Sequence, residues 1–206
     1  MALRGEKLRE HILWKAKEVF LEMGFERAAI DVVAARAGTS KRSLYAHFES
    51  KEKLFLAVID LVRGLFLKKL KIPGDYSENP LDALTIFCGR YLEILLYEPS
   101  IQMCRVSMAE TTRFPKGAVE HFDVIFTEVH TRLSVYLSIT FELSADASSE
   151  AAKKLLGQIL YPLFVRALFG MEALSKSIDE AALSENFDLK EIRKTVADLI
   201  VSVSKN

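Results

Sequence analysis

The 206-residue chain is 50% hydrophobic and 27% charged, and its 28 Lys and Arg balance 28 Asp and Glu. Such a composition predicts a globular protein of one large domain or two modest ones and excludes a disordered or collagen-like chain. No run approaches the roughly 18 uninterrupted apolar residues of a membrane span, and charges begin early in "MALRGEKLREHIL" without an apolar leader, so the expectation is a cytoplasmic protein with no membrane partner. Cys88 and Cys104 have no C-x-x-C or nearby Cys/His companion, which predicts two small core residues and neither a disulfide nor a metal site.

Three-to-four periodicity runs through nearly every segment, so the fold class expected is all-α. The first helix spans roughly residues 7–23, with Leu8, Ile12, Ala16, Val19, Phe20 and Met23 on one apolar stripe and Gly24 as its stop. A short helix over about 30–36 buries Val33, Ala34 and Ala37, and Gly38 provides a second left-handed stop. Ser40 then caps a third helix running through His47, with Leu44 and Phe48 turned inward. Ser50 caps a fourth, from Lys51 to about Leu70.

Two short helices joined at a glycine and flanked by longer ones form a helix-turn-helix, whose second member enters the major groove of DNA. The net charge of zero conceals an asymmetry in the same direction: through Phe55 there are 11 Lys and Arg against 8 Asp and Glu, or +3, leaving 17 against 20, or −3, for the rest. On the third helix, Lys41, Arg42 and Ser43 sit in the first turn, away from the face defined by Leu44 and Phe48. Arg42 is the first choice for a base contact, because its planar fork can donate twice to a guanine, and Lys41 either does the same or meets phosphate. Tyr45, His47 and Lys51 are assigned to the sugar-phosphate backbone, with Thr39 and Ser40 assisting at the helix start.

The residues Gly24, Phe25, Val33, Ala34, Ala37, Gly38, Ser40, Leu44, Tyr45, Phe48, Lys51 and Leu54 fall on the pattern of the TetR/AcrR-type transcriptional regulators, which the first quarter of the chain resembles. Ala28 and Ala29 stand where that family carries Ser or Thr, and Thr39 stands where it carries Val. The first departure forfeits an N-cap hydroxyl worth about 1 kcal/mol, and Asp31 in the same turn partly compensates through the helix dipole.

The segment "IPGDYSENP" breaks the helical pattern and divides the chain into a helix-turn-helix domain over 1–50, a connecting helix over 51–71 and a second helical domain over 72–206. Pro80 opens a helix to about Tyr97, a short helix follows Pro99, "RVSMAETTRFPKG" interrupts the pattern, and a long helix is expected from about Ala118 toward Leu143. Arg105, Ala109-Glu110 and Arg113-Phe114-Pro115 recur in an order similar to the AefR-like subtype of that family.

In this family the second domain binds a small molecule and dimerises. The resemblance therefore implies a homodimer that binds a palindromic DNA operator and responds to an effector, most simply as a repressor. Phe87, Tyr91, Met103, Met108, Phe122 and Phe126 lie at helical spacing and are the expected lining for a hydrophobic effector, although the same stripe also suits an ordinary filled core. Leu156, Ile159, Leu160, Leu163 and Ala167 share one face, and Leu189, Ile192, Val196, Leu199 and Val203 form an a/d seam, so these ten are the expected dimer interface. No nucleophile elbow, Gly-rich phosphate loop or recurring Glu-x-x-His is present, so neither catalysis nor a cofactor is expected. The alternative is a helical lipid or small-molecule carrier with vestigial DNA binding.

Overall fold

A computed structural model describes residues 2–179, 183 and 188–204. Among them are eleven α-helices: α1 (Ala2–Arg27), α2 (Ile30–Arg36), α3 (Lys41–His47), α4 (Lys51–Lys69), α5 (Pro80–Leu95), α6 (Glu98–Ala109), α7 (Pro115–Phe122), α8 (Glu128–Phe141), α9 (Ala145–Leu160), α10 (Leu163–Leu168) and α11 (Leu189–Val203). No strand occurs among the described residues beyond one isolated bridge, Tyr97 to Ser175. None of these helices is long and apolar enough to cross a membrane.

The chain packs as two compact units, Met1–Leu65 with Gln102–His121, and Phe66–Ile101 with Phe122–Asn206. This division differs from the boundary expected near residue 72, because the stretch after Gln102 buries its apolar groups with the N-terminal helices. Met103 is fully buried in that core, and the Phe114 ring lies 4.9 Å from Phe25 and 5.2 Å from Phe55. Phe20 completes the cluster, 5.2 Å from Phe55 in an edge-to-face arrangement. Such pairs add about 0.5–1.5 kcal/mol beyond the area they bury.

α1 is interrupted where the sequence places its stop: Gly24 has φ 73° and ψ 172°, a conformation essentially confined to glycine that costs another residue about 1–3 kcal/mol. Ile12, Ala16, Val19 and Phe20 on its inner stripe are fully buried.

In the second unit α5 is buried on nearly every side, even at Arg90 and Glu93, which pair with each other. α8 packs on α9, and α11 packs on both α5 and α9. The helix expected from about 118 toward 143 runs from Pro115 to Phe141 with a π-helical stretch, Asp123–Thr127, between α7 and α8, and the Tyr91 hydroxyl donates to the Ile125 carbonyl there at 2.8 Å. The face expected to run from Leu156 to Ala167 is broken after Leu160, because Tyr161 precedes a proline and takes an extended conformation, φ −94°, ψ 132°. α6, in turn, carries helix through Arg105–Met108, so the interruption is confined to the turn after Ala109.

His121, on α7 in the first unit, is 5% exposed, its Nε2 is 3.7 Å from Cys104 Sγ, and its Nδ1 has no partner. Burial and the nearby Arg63 guanidinium push its pKa from 6.5 down to about 4. Between those values the unfolded chain binds a proton that the folded chain does not, so the stabilisation is complete above pH 6.5 and is lost as pH falls toward 4. The loss is on the order of 3 kcal/mol at 1.36 kcal/mol per unit. Urea midpoints across this range should fall steeply for the natural chain and more shallowly, by about one proton, for His121→Gln. Burial pushes the thiols of Cys88 and Cys104 up to about 12, so both are unreactive core residues.

Candidate nucleic-acid interface

The helix pair α2–α3 owes its geometry to a few local interactions. Gly38 takes φ 59° between the helices, and its N–H and that of Thr39 donate to the carbonyls of Ala35 and Ala34 at 3.1 and 3.0 Å. Ser40 is the N-cap of α3: its hydroxyl accepts the Ser43 N–H at 3.1 Å, satisfying one of the helix's first orphan donors. Leu44, fully buried, and Phe48, 4% exposed, anchor the inner face, and α1 packs on both α2 and α3. Ser50 repeats the capping device at the start of α4, accepting the Lys53 N–H at 3.1 Å.

Anchoring through Leu44 and Phe48 turns Lys41, Arg42 and Tyr45 outward. Arg42 is exposed with no ion pair among the described residues, and Tyr45 is 39% exposed. Lys41 pairs with Asp31 at 3.1 Å, both well exposed; an ion pair of that kind is worth about 0–1 kcal/mol and is readily exchanged for a phosphate. Ser43 and His47 are half-buried at the edges of the same face, as is Thr39 before it.

Lys51 is engaged within the chain. Its ammonium donates to the Glu26 carbonyl at 3.1 Å and lies 4.5 Å from the centre of the Phe25 ring. It ties the start of α4 to the end of α1 and so buttresses the reading head.

Other side chains complete this buttress without a sequence signal. Arg9 stacks over the Phe48 ring at 4.8 Å. Arg36 grips Glu22 through both nitrogens at 2.8 and 2.7 Å, which lowers the Glu22 pKa. Arg113 pairs with Glu26 and also lies over the Phe25 ring, 4.9 Å from its centre. α2 begins at Ala29 with no side-chain cap, in keeping with the two alanines there, and Ala28 is almost fully buried.

The remaining sequence-predicted residues are dispersed. Met103 is core of the first unit, and Met108, in that unit too, is 51% exposed. Phe87 and Tyr91 are fully buried in the second unit, where Phe122 packs 4.9 Å from Phe126 yet remains 55% exposed. Of the expected interface, Leu156, Ile159, Ala167, Ile192, Val196 and Leu199 are buried within this chain, as the contacts of α11 with α5 and α9 require. Leu160, Leu163 and Val203 are half-buried and Leu189 is exposed. Unburied apolar side chains in this region are instead Tyr161, Val165, Phe169, Met171 and Val201. His130 hydrogen-bonds the Ser149 carbonyl at 3.0 Å, and no group of three or more potential metal ligands exists among the described residues.

Two sequence profiles cover this arrangement. One for bacterial regulatory proteins of the tetR family matches residues 12–58, and one for the C-terminal domain of AefR-like transcriptional repressors matches residues 82–186. The chain belongs to the TetR family. Its members and structural neighbours are transcriptional regulators, not enzymes.

The chain is similar to the HTH-type transcriptional activator FasR of Mycolicibacterium smegmatis, 46% identical over 61 residues, or 27% of this chain and 28% of that protein. The curated relatives it matches are spanned over less than half of their length. Its fold resembles that of a TetR transcriptional regulator from Agrobacterium tumefaciens, with TM-score 0.73 and 20% identity over 95% of this chain and 94% of that one. It likewise resembles the flavonoid-responsive regulator FrrA, with TM-score 0.72 and 24% identity over 97% and 96%. This TetR-family helix-turn-helix thus keeps the capped α3 and the glycine turn, with alanines at the start of α2.

Proposed function

We propose that the chain is a ligand-responsive transcriptional repressor that binds a palindromic DNA operator as a homodimer. The observation that carries this reading is Arg42: an exposed guanidinium with no ion pair among the described residues, on the outward face of a short helix fixed by Leu44, Phe48 and the Ser40 cap. Placed in a major groove, it donates twice to a guanine, while Lys41, Tyr45 and His47 meet phosphates and set register. Lys51 contributes by holding the head in place, and its ammonium adds a positive charge at the rim.

A twofold dimer needs an apolar surface that the single chain leaves uncovered. Val165, Phe169, Tyr161, Met171 and Val201 supply it, whereas the a/d residues of α11 serve the chain's own core and fix the helix from behind. Light scattering should give twice the single-chain mass of 23.2 kDa, and Val165→Glu with Phe169→Glu should return it to one. A natural chain that scatters as a monomer contradicts the dimer. The effector belongs to the second unit and is small and largely apolar.

The test of DNA binding is a salt titration on mixed-sequence duplex. A regulator that neutralises several phosphates loses affinity steeply between about 50 and 200 mM salt. A helical carrier with vestigial reading helices shows no such salt-sensitive binding, and that result would sink the proposal.

A further inference from the structure

The described part of the second unit contains an open groove of about 700 Å³, within the roughly 300–1,000 Å³ of small-molecule sites. Its lining is mixed in chemistry. Its polar lining is Lys68 and Lys69 at the end of α4, Lys71 just beyond, and Tyr76; its apolar lining is Ile86 of α5, Ile178, Leu183 and Leu189 at the start of α11. Among the described residues no carboxylate lines it.

The polar groups are prepared unequally. Arg90 also lines the groove, but its guanidinium is committed to Glu93 and to the Asp179 carbonyl. Lys68 and Lys71 are exposed, and their ammonium groups carry no ion pair among the described residues. The Tyr76 hydroxyl accepts the Lys71 N–H at 3.1 Å, which fixes the ring and leaves its own O–H free to donate. Burial raises the Tyr76 pKa, so at neutral pH the group is a phenol and a donor.

From this juxtaposition of two unpaired ammonium groups and a fixed phenol with an aliphatic lining, we infer that the groove binds an amphipathic anion, its carboxylate or phosphate head on Lys68, Lys71 and Tyr76 and its hydrocarbon tail on Ile86, Ile178 and Leu189. The head gains charge-assisted hydrogen bonds that a neutral alcohol cannot match, and the tail gains the burial that a bare anion cannot. The inference rests on the reading that the second unit takes an effector, and it replaces a purely hydrophobic molecule with an anionic one.

Calorimetric titration of the full chain with decanoate, decyl phosphate, decanol and acetate separates these contributions. Decanoate or decyl phosphate should bind at least about tenfold more tightly than decanol, and acetate should bind immeasurably; which head binds more tightly identifies a carboxylate or a phosphate ligand. The double variant Lys68→Gln with Lys71→Gln, both at exposed positions, should lose about tenfold for the anions and nothing for decanol. Decanol binding as tightly as the anions, acetate binding as tightly as decanoate, or an unchanged double variant overturns the inference. So does a natural chain that binds a palindromic duplex but neither anion. Anion binding without any duplex binding leaves the groove standing and overturns the regulator reading instead.

Discussion

Arg42→Ala is expected to lower affinity for the preferred duplex by at least about 30-fold and up to roughly four orders of magnitude, while leaving affinity for scrambled duplex within about tenfold. The size follows from symmetry. One bidentate guanine contact discriminates by about 1–3 kcal/mol, and a twofold dimer makes it twice, giving about 2–6 kcal/mol at 1.4 kcal/mol per decade. Scrambled duplex loses only one cation per half-site, a sequence-independent effect that high salt erases. Because Arg42 is exposed and has no ion pair among the described residues, its removal should leave the fold intact. Fluorescence anisotropy against both duplexes at two salt concentrations measures the contrast. Equal losses on both would assign Arg42 to phosphate and return base readout to Lys41.

Phe55→Ala should destabilise the chain by about 3–5 kcal/mol, a large part of the 5–15 kcal/mol typical of a domain. Phe55 is fully buried and touches three rings, at 5.2 Å from Phe20, 5.1 Å from Phe25 and 5.2 Å from Phe114. Truncation therefore removes both transfer energy and three aromatic pairings, and the surrounding helices α1 and α4 cannot close the void without moving the reading head. The melting temperature should drop by roughly 6–20 °C at about 2–4 °C per kcal/mol. Ile139→Ala, at 74% exposure, is the control and should shift stability by less than about 0.5 kcal/mol. A Phe55 variant as mildly affected as Ile139 would mean that the four-ring cluster is not the core of this unit.

The reading head was legible in sequence because its determinants are local. Gly38 needs a positive φ, Ser40 needs to cap within three residues, and Leu44 and Phe48 are one helical turn apart, so spacing alone locates α3. What escaped depends on distant partners. Phe114 joins Phe25 and Phe55 across more than fifty residues, and helical periodicity reports which face of a segment is apolar without naming what covers it. The same limit explains α11: the a/d spacing of Ile192, Val196 and Leu199 signalled burial correctly, but their partners are α5 and α9 of this chain. Lys51 reads as a free cation in sequence, and only the fold supplies the Glu26 carbonyl and Phe25 ring that hold it. The π-helical stretch within the helix after Pro115 likewise meets a distant partner, the Tyr91 hydroxyl on α5.

The groove beside Lys68 and Lys71 illustrates a further limit. Three lysines within four positions at a helix end are ordinarily a solvated surface, and only the fold brings them to the same groove as aliphatic residues from α5 and α11.

The most direct test of the central claim is selection of bound duplexes from a random pool at near-physiological salt, followed by titration of the enriched sequence and of its isolated half-site. The account predicts a two-half-site palindrome with half-sites one helical turn or a multiple apart, bound far more tightly than either half alone. Enrichment of a single unpaired half-site would contradict the dimer, and no enrichment at all would contradict sequence reading by α3.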